Sequence, residues 1–369
     1  MPGASHSTLW GSPPWKIDFS STPRPIPKEV DLAVVGGGFS GLSAAAWLRR
    51  LEPAKTVAVF ESRRVGAGSS GHTGGLALSE TAAGDVPGLG DVLAGLSEII
   101  QELALDCDLT LPGVWELGRT DGLPHSPIAW ADSGDLRAVQ EVPGGTLDPG
   151  KLLSGLARLA DALGAQIFEN AAATDIEFHQ PLRLRVNGEV ILAHKALLAT
   201  NAMSLEMSGL DKRAQPKFTL AVATEPLSEA QLGALGLASG KPFYTVDFPY
   251  LWGRLLPNRG VIFGSGLVHV SDWRELADID IAAGQAAELL ARLEGRVRGL
   301  HPALHSVRFT HRWGGPILIP DNWKPVFAFD PRSPDALVLG GYSGHGVALS
   351  VYLGRWAAEV MLGRRKPLA

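Results

Sequence analysis

Apolar residues gather in short unbroken runs near both ends of the chain and fall into period-two runs between turns in its middle. The first run, Leu32–Val35, stops at Gly36, Gly37 and Gly38. A helix-like segment, Gly41–Leu51, follows, and a second run, Thr56–Phe60, ends on Glu61. Short apolar runs bounded by turn residues predict buried strands. This stretch therefore reads strand, glycine turn, helix, strand, acid. Val92–Asp106 carries Leu93, Leu96, Ile99, Ile100 and Leu103 at helical spacing, Leu109–Leu117 reads as a strand, and Ser126–Val142 is mixed. A strong helix is predicted over Lys151–Leu163, with Asp148 as N-cap, Pro149 at the first position and Gly164 as its stop. Strands follow at Ala165–Glu169 and Thr174–Phe178. A hairpin turns at Asn187-Gly188 between Leu182–Val186 and Val190–Ala193, and the run Lys195–Thr200 ends in Asn201.

From Lys217 to Val268 strand patterns recur at Phe218–Thr224, Phe243–Phe248, Tyr250–Leu256 and Val261–Gly266 with turns between, which predicts an antiparallel sheet. Ile279–Arg296 reads as a helix and Val307–Ile319 as a strand. The chain closes as it began, with strand Ala336–Leu339, a glycine turn through Gly346 and helix Val347–Leu362. The stretch Ser62–Leu78 is too rich in Gly and Ser for a regular element and reads as a loop, carried through the interior at Leu76, Ala77 and Leu78. Residues 1–27, rich in Pro and Ser, read as an extended arm anchored by Trp10, Trp15 and Phe19.

Two glycine turns carry the chemistry. Gly36, Gly38 and Gly41 form G-x-G-x-x-G between a strand and a helix, which serves a tight turn, backbone approach to a pyrophosphate and close packing. The helix N-terminus favours an anion. Glu61, at the end of the next strand, is placed to bond a ribose hydroxyl. An acid there disfavours a 2′-phosphate, leaving FAD or NAD. The second turn, Gly340–Gly346, also feeds a helix N-terminus. FAD has two ends for two such turns: its pyrophosphate, and the flavin N1–C2=O edge that turns negative on reduction.

Composition narrows the class. At 369 residues the chain is long enough for two domains, or for one with a large insertion. A net charge of −5 provides no basic field for nucleic acid. The single cysteine, Cys107, excludes an intrachain disulfide and a cysteine-cluster metal site, in keeping with a cytoplasmic protein. The charge-free stretch Leu32–Leu48 is glycine-broken and short of a membrane span. The N-terminus lacks a basic start and an apolar core, so no signal peptide is read there.

With these pieces in order, VDLAVVGGGFSGLSAA, ESRRVGAGSSGHTGG, LDPGKLLSGLARLADALGA, ALLATNA, RWGG and LGGYSGHGV together resemble the FAD-dependent D-amino-acid oxidase superfamily, and within it the gamma-glutamylputrescine oxidase group. The resemblance implies an α/β plus α+β fold, with a Rossmann-like FAD-binding domain and an antiparallel-sheet substrate domain. The former falls in 28–85, 148–215 and 325–369, the latter in 86–147 and 216–324. It places Gly36, Gly38, Ser40 and Gly41 on the pyrophosphate, and Glu61, Arg63 and Ala173 on the adenosine. Ser70, His72, Thr73, Gly74 and Gly75 pass over the flavin; Thr200 and Asn201 end a flavin-domain strand. Gly344, His345, Gly346 and Val347 face the flavin N1–C2=O edge. Some relatives carry a flavin-bonded histidine where His72 stands; a noncovalent contact is expected here.

The implied reaction is hydride transfer from an amine α-carbon to flavin N5, giving an imine that hydrolyses, with oxygen or another acceptor reoxidising the flavin. Expected pocket residues are Tyr250, Trp252, Arg254, His311, Trp313 and Tyr342. In the glycine oxidase branch an arginine clamps the substrate carboxylate; the matching position here is Ile317. That favours an amine, gamma-glutamylated if Arg254 holds its acidic end, over a free amino acid of the glycine, sarcosine or D-amino-acid type. A nicotinamide dehydrogenase leaves the second glycine turn unused. A flavin-retaining protein without turnover stays open, because no indispensable catalytic side chain stands out.

Overall fold

The computed structural model describes residues 9–120 and 122–368; residues 1–8 of the expected arm lie outside them. Two eight-stranded sheets organise the chain. In the first, Glu29–Val35 lies between Val57–Phe60 and Glu189–Leu198 and parallel to both. Gln166–Phe168 and Ser333–Gly340 extend it in parallel, one on each side. Val326–Asp330, Leu182–Val186 and Ala173–Glu177 add antiparallel pairings. Parallel strands are covered on both faces, hence the unbroken apolar runs.

The second sheet runs in the order Phe309–Pro320, Ala214–Thr224, Val261–His269, Trp252–Leu255, Phe243–Thr245, Val114–Gly118, Asp135–Val142 and Ala129–Ala131. Its neighbours are antiparallel, as expected, except that Phe243–Thr245 and Val114–Gly118 run parallel.

Several boundaries differ from the sequence reading for identifiable reasons. The runs around Val190 and Lys195 are one strand, Glu189–Leu198, whose first half closes the hairpin and whose second half joins the parallel sheet. The polar break that split it is satisfied where Lys195 Nζ donates to the Met361 carbonyl at 2.7 Å. The Ser62–Leu78 stretch holds a helical turn, Ser69–His72, and a strand, Leu76–Leu78. Its glycines mark close backbone packing, since a Cβ on Gly71 would collide with the Gly66 carbonyl. The helix expected to start at Ile279 is Gly284–Leu300, because the Ile281 N–H is taken by the Leu9 carbonyl of the arm at 2.9 Å. The helix Pro149–Ala162 begins as expected, with the Asp148 side chain accepting from the Lys151 N–H.

The helix Val92–Glu102 corrects the expected division of the chain. Its Val92, Leu93, Leu96 and Ile99 enter the hydrophobic core that holds Leu42, Leu48, Leu353 and Trp356, on the nucleotide side. Gly95 packs against the Tyr352 ring, so 86–147 does not belong wholly to the substrate side. Each such leucine, fully buried, contributes about 2 kcal/mol.

The helices Phe39–Leu51 and Gly346–Met361, which begin at the two glycine turns, cross in contact. A Cβ on Gly354 would stand 2.7 Å from Ser43 Cβ, and Ser43 Oγ donates to the Val351 carbonyl at 2.8 Å. That crossing brings together two turns separated by 300 residues of chain. The arm is stitched to the body: Trp10 is fully buried with Nε1 donating to the Leu276 carbonyl, and Trp15 Nε1 donates to the Gly71 carbonyl, both at 2.8 Å.

Candidate active site

A cavity of about 860 Å³ is lined from both sheets and from both glycine turns. That is the size of a cofactor or ligand site. At one end Gly36 adopts φ +114°, and a Cβ there would stand 2.6 Å from the Ala199 carbonyl oxygen. A Cβ on Gly41 would collide with the Gly36 carbonyl, so this glycine serves packing and stands behind the cavity wall rather than in it. The helix Phe39–Leu51 starts with no side-chain cap from its N-cap residue and no acid in its first turn, and Gly346–Met361 starts the same way. Both N-termini line the cavity, at Gly38, Phe39 and Ser40 and at His345, Gly346 and Val347. Uncapped N–H groups with the helix dipole behind them form an anion cradle. Ser70 Oγ accepts from the Phe39 N–H at 3.0 Å, closing the first turn from the outside.

Glu61 stands in the wall between these features, accepting from the Gly37 N–H at 2.8 Å and the Arg63 N–H at 2.9 Å. Desolvation raises its pKa, opposed by those hydrogen bonds and by the Arg63 charge. The Arg63 guanidinium lies 4.7 Å from the Trp10 ring centroid and donates to the Ala67 carbonyl. Ala173 and Thr200 line the same end, and Thr200 Oγ1 is buried with no partner among the described residues. Asn201 links the helical turn Ser69–His72 to the second glycine turn, its Nδ2 donating to Ser69 Oγ and its Oδ1 accepting from the Gly341 N–H, each at 3.0 Å. Tyr342 and Ser40 hydroxyls meet at 2.6 Å and tie the two glycine turns directly. Burial raises the Tyr342 pKa, so it stays a phenol.

Farther in, His72, Thr73 and Gly74 line the wall beside Trp252. His72 Nδ1 bonds the Gly68 carbonyl at 2.9 Å. Burial lowers the His72 pKa, the Arg63 charge lowers it further, and the Gly68 bond partly offsets both. His345 is likewise lowered by burial, with the Ser343 carbonyl and the Glu80 carboxylate opposing. The RWGG motif has its physical reason here: Trp313 Nε1 donates to the His72 carbonyl at 3.0 Å, and a Cβ on Gly315 would stand 2.6 Å from His72 Cβ.

Residues 31–360 match the family described as FAD dependent oxidoreductase, DAO. The chain belongs to that family. This FAD-dependent oxidoreductase is 27% identical to the probable oxidoreductase OrdL of Haemophilus influenzae, over 94% of this chain and 86% of that one. It is 27% identical to the gamma-glutamylputrescine oxidoreductase of Escherichia coli, over 90% and 84%. Its fold superposes on glycine oxidase of Geobacillus kaustophilus with TM-score 0.72 and 17% identity, covering 92% of this chain and 96% of that one. The L-proline dehydrogenase of P. horikoshii gives TM-score 0.72 at 19% identity over the same shares. The cofactor is FAD, and the uncapped helix N-termini, the Glu61 carboxylate and the unpartnered Thr200 hydroxyl fit its anionic and ribose groups. Among the described residues no helix is long and apolar enough to cross a membrane.

On the substrate side the oxidoreductase departs from its sequence reading. Tyr250, Trp252 and Tyr342 line the cavity. Arg254, His311 and Trp313 do not, and neither does Gly75. Trp313 is fully buried, edge-on to Trp15. His311 bonds Thr310 Oγ1 on its own strand. Arg254 is 5% exposed behind Gly75, its Nη2 3.1 Å from where a Gly75 Cβ would be, with Nε unpartnered among the described residues. Burial pushes its pKa down to about 10, opposed by Asp148 and Asp108, so it stays charged. Arg312 pairs with Glu294 at 2.5 Å.

The residues missed are Glu80, Glu116, the Tyr244 between them, and Phe248, the ring partner of the expected Tyr250. Tyr244 Oη meets Glu80 Oε1 at 2.7 Å and also bonds Glu116, all three in the cavity wall. Phe248 and Tyr250, exposed at 74% and 44%, pack 4.3 Å apart on a wall loop. Beneath that loop Arg296 donates to the Pro249 and Tyr250 carbonyls at 2.7 and 2.8 Å and to Asp132. Arg119 binds Asp132, Asp247 and the Phe248 carbonyl. Glu116 and Tyr244 sit at alternate positions of apolar strands, where nothing local distinguishes a cavity-facing polar residue from a solvent-facing one.

Proposed function

We propose that this FAD-dependent oxidoreductase oxidises the C–N bond of a primary or secondary amine to an imine, which water then hydrolyses. One observation carries the reading. Among the described lining residues Arg63 is the single guanidinium, and it is engaged at the nucleotide end on Trp10 and Ala67. The wall beyond the flavin motifs offers Ile317, Trp252 and Leu267, with Glu80 and Glu116, and no fork for a carboxylate. The Escherichia coli relative, a gamma-glutamylputrescine oxidoreductase by name, supports the same class. A gamma-glutamylated substrate needs a clamp for its acidic end, and Arg254 is turned away behind Gly75, so an amine without that group fits better.

In this assignment Gly36, Gly38, Ser40 and the helix behind them hold the pyrophosphate, and Glu61, Arg63, Ala173 and Thr200 the adenosine side. Ser70, His72, Thr73 and Gly74 run along the flavin, and Gly344, His345, Gly346 and Val347 meet its negative edge. The flavin, when bound, supplies the two-electron acceptor for hydride from the substrate α-carbon. Trp252 and Ile317 wall the alkyl chain from water, and desolvation favours the neutral amine whose nitrogen lone pair drives the step. The buried imidazoles of His72 and His345 stay neutral and add no positive charge against it.

The test is anaerobic bleaching of the bound flavin by alkylamines against glycine, sarcosine and D-alanine. Bleaching by the amines is expected. Efficient bleaching by the amino acids, with feeble response to the amines, overturns the reading.

A further inference from the structure

The cavity wall holds more negative charge than oxidation of a neutral amine requires. Glu116 and Tyr244 are register partners on adjacent parallel strands, and Tyr244 is paired in turn with Trp252. The three form a row across one face of the sheet. Trp252 lies flat where Gly264, the next residue of the row, leaves space, for a Cβ there would collide with its ring. Glu80 reaches the same phenol from beyond the strand Leu76–Leu78. Among the described residues neither glutamate forms an ion pair with a basic side chain, and the bond to Tyr244 is the one side-chain hydrogen bond each makes. A phenol has one proton, so it satisfies one carboxylate and leaves the other short of a donor.

A further feature around the pair also suits a cation. The Phe248–Tyr250 aromatic pair lines the cavity six residues or fewer from Tyr244, held by Arg296 and Arg119 through three successive carbonyls. Aromatic faces attract ammonium groups. Carboxylates with no cation of their own attract an ammonium group, and their hydrogen bonds to it are charge-assisted.

We propose that Glu116 and Glu80, across Tyr244, recognise a second ammonium group of the substrate, remote from the nitrogen that is oxidised. The preferred substrate is then a linear diamine or longer polyamine. The acids hold the distal charge so that the other end, deprotonated, reaches the flavin. This rests on the amine reading above and names its substrate class.

The experiment compares 1,4-diaminobutane with pentylamine, its near-isostere in which a methyl replaces one ammonium. Two readouts are used on the holoenzyme. One is kcat/KM, or the anaerobic bleaching rate. The other is calorimetric binding to the dithionite-reduced enzyme, which cannot turn over. The diamine is expected to win by at least ten-fold in both. Glu116→Gln is expected to lower that ratio about ten-fold, with Glu80→Gln as the second variant should the first fold poorly. The proposal is overturned if the two probes bind the reduced enzyme equally, or if the ratio survives both substitutions. Failure of every amine to bleach the flavin strikes the amine reading. The binding ratio still decides the role of the acids.

Discussion

The two ends of the cavity are built from different material. At the nucleotide end the wall is mostly backbone: two helix N-termini without a cap from their own N-cap residues, glycines where a Cβ would strike a carbonyl, and side chains that mostly hold one another, as Ser40 does Tyr342 and Asn201 does Ser69. At the other end the backbone is ordinary sheet, and the wall is made by side chains from several strands, Glu116, Tyr244, Trp252 and Ile317. A site made of backbone tolerates few residues at fixed spacing and writes that spacing into the chain. A site made of side chains on a pleated surface writes almost nothing, because any face-alternating residue can change while the sheet stays the same.

The sharpest way to break this contrast is to put a side chain into the backbone end. In Gly41→Val the new Cβ meets the Gly36 carbonyl, which belongs to a turn already fixed against Ala199. Neither partner is a flexible side-chain tip, so the cost exceeds about 3 kcal/mol. Colourless protein with a much lowered melting temperature is expected, from flavin absorbance against protein absorbance and a thermal melt. Full yellow colour in that variant would mean the turn is looser than its geometry.

The substrate end has its own rigid point, Asp132, which is buried and bridges Arg119 and Arg296, each at 2.6 Å. Asp132→Ala leaves two largely buried guanidiniums with less compensating negative charge. Removing one partner of a buried pair costs about 3 kcal/mol. The loop 247–250 loses its anchor, so KM for the substrate should rise while FAD content stays at the level of the parent protein. Loss of flavin together with substrate affinity would show that the two ends are not separable.

How far the sequence is legible follows the same division. The glycine turns, the acid at Glu61, the Asp148 cap and the antiparallel middle are all readable, because each is a local requirement of backbone geometry or capping. The helix Val92–Glu102 is readable as a helix but not in its placement, since its apolar stripe fits any core; the packing of Gly95 on Tyr352 decides it. Residue type alone points to Arg254 and Trp313 as pocket residues, and residue type is not enough. Trp252 and Arg254 alternate to one face of their strand, and which of them meets the cavity depends on where the stretch Ser69–Leu78 crosses, a crossing no local pattern encodes. Glu80, Glu116 and Tyr244 escape a sequence reading because they converge only after the chain has folded.

His72 stands at the boundary of the two regions and gives a smaller effect. Its folded pKa lies below its ordinary value of 6.5, chiefly through burial. The unfolded chain then binds more protons than the folded one, so stability is full above pH 6.5 and falls as pH drops toward the folded value. His72→Gln should flatten part of that decline in melting temperature between about pH 7 and 5, with His345 retaining its share. Acid denaturation of the parent protein should also release free FAD. An acid slope unchanged in the variant would place the titration elsewhere.

The smallest expected effect is the most discriminating for the amine reading. Arg254 looks like a clamp in the sequence, yet it is buried away from the cavity with Nε unpartnered among the described residues, near Asp148 and Asp108 but bonded to neither. Its attraction to those acids offsets only part of its desolvation, because burial outweighs them in lowering its pKa. Replacing it by Met keeps most of the apolar volume against Trp15 and Gly75 and removes an incompletely compensated charge. Exchanges of that kind are commonly neutral or mildly stabilising. Arg254→Met should therefore shift stability by no more than about 1 kcal/mol in either direction. It should leave the ratio of kcat/KM between an alkylamine and its gamma-glutamylated form within about two-fold of the parent, a difference worth under about 0.5 kcal/mol. A selective collapse of turnover for the gamma-glutamylated amine would return Arg254 to the site as a carboxylate clamp. The wall behind Gly75 would then have to open on substrate binding, and the preference for unsubstituted amines would be lost.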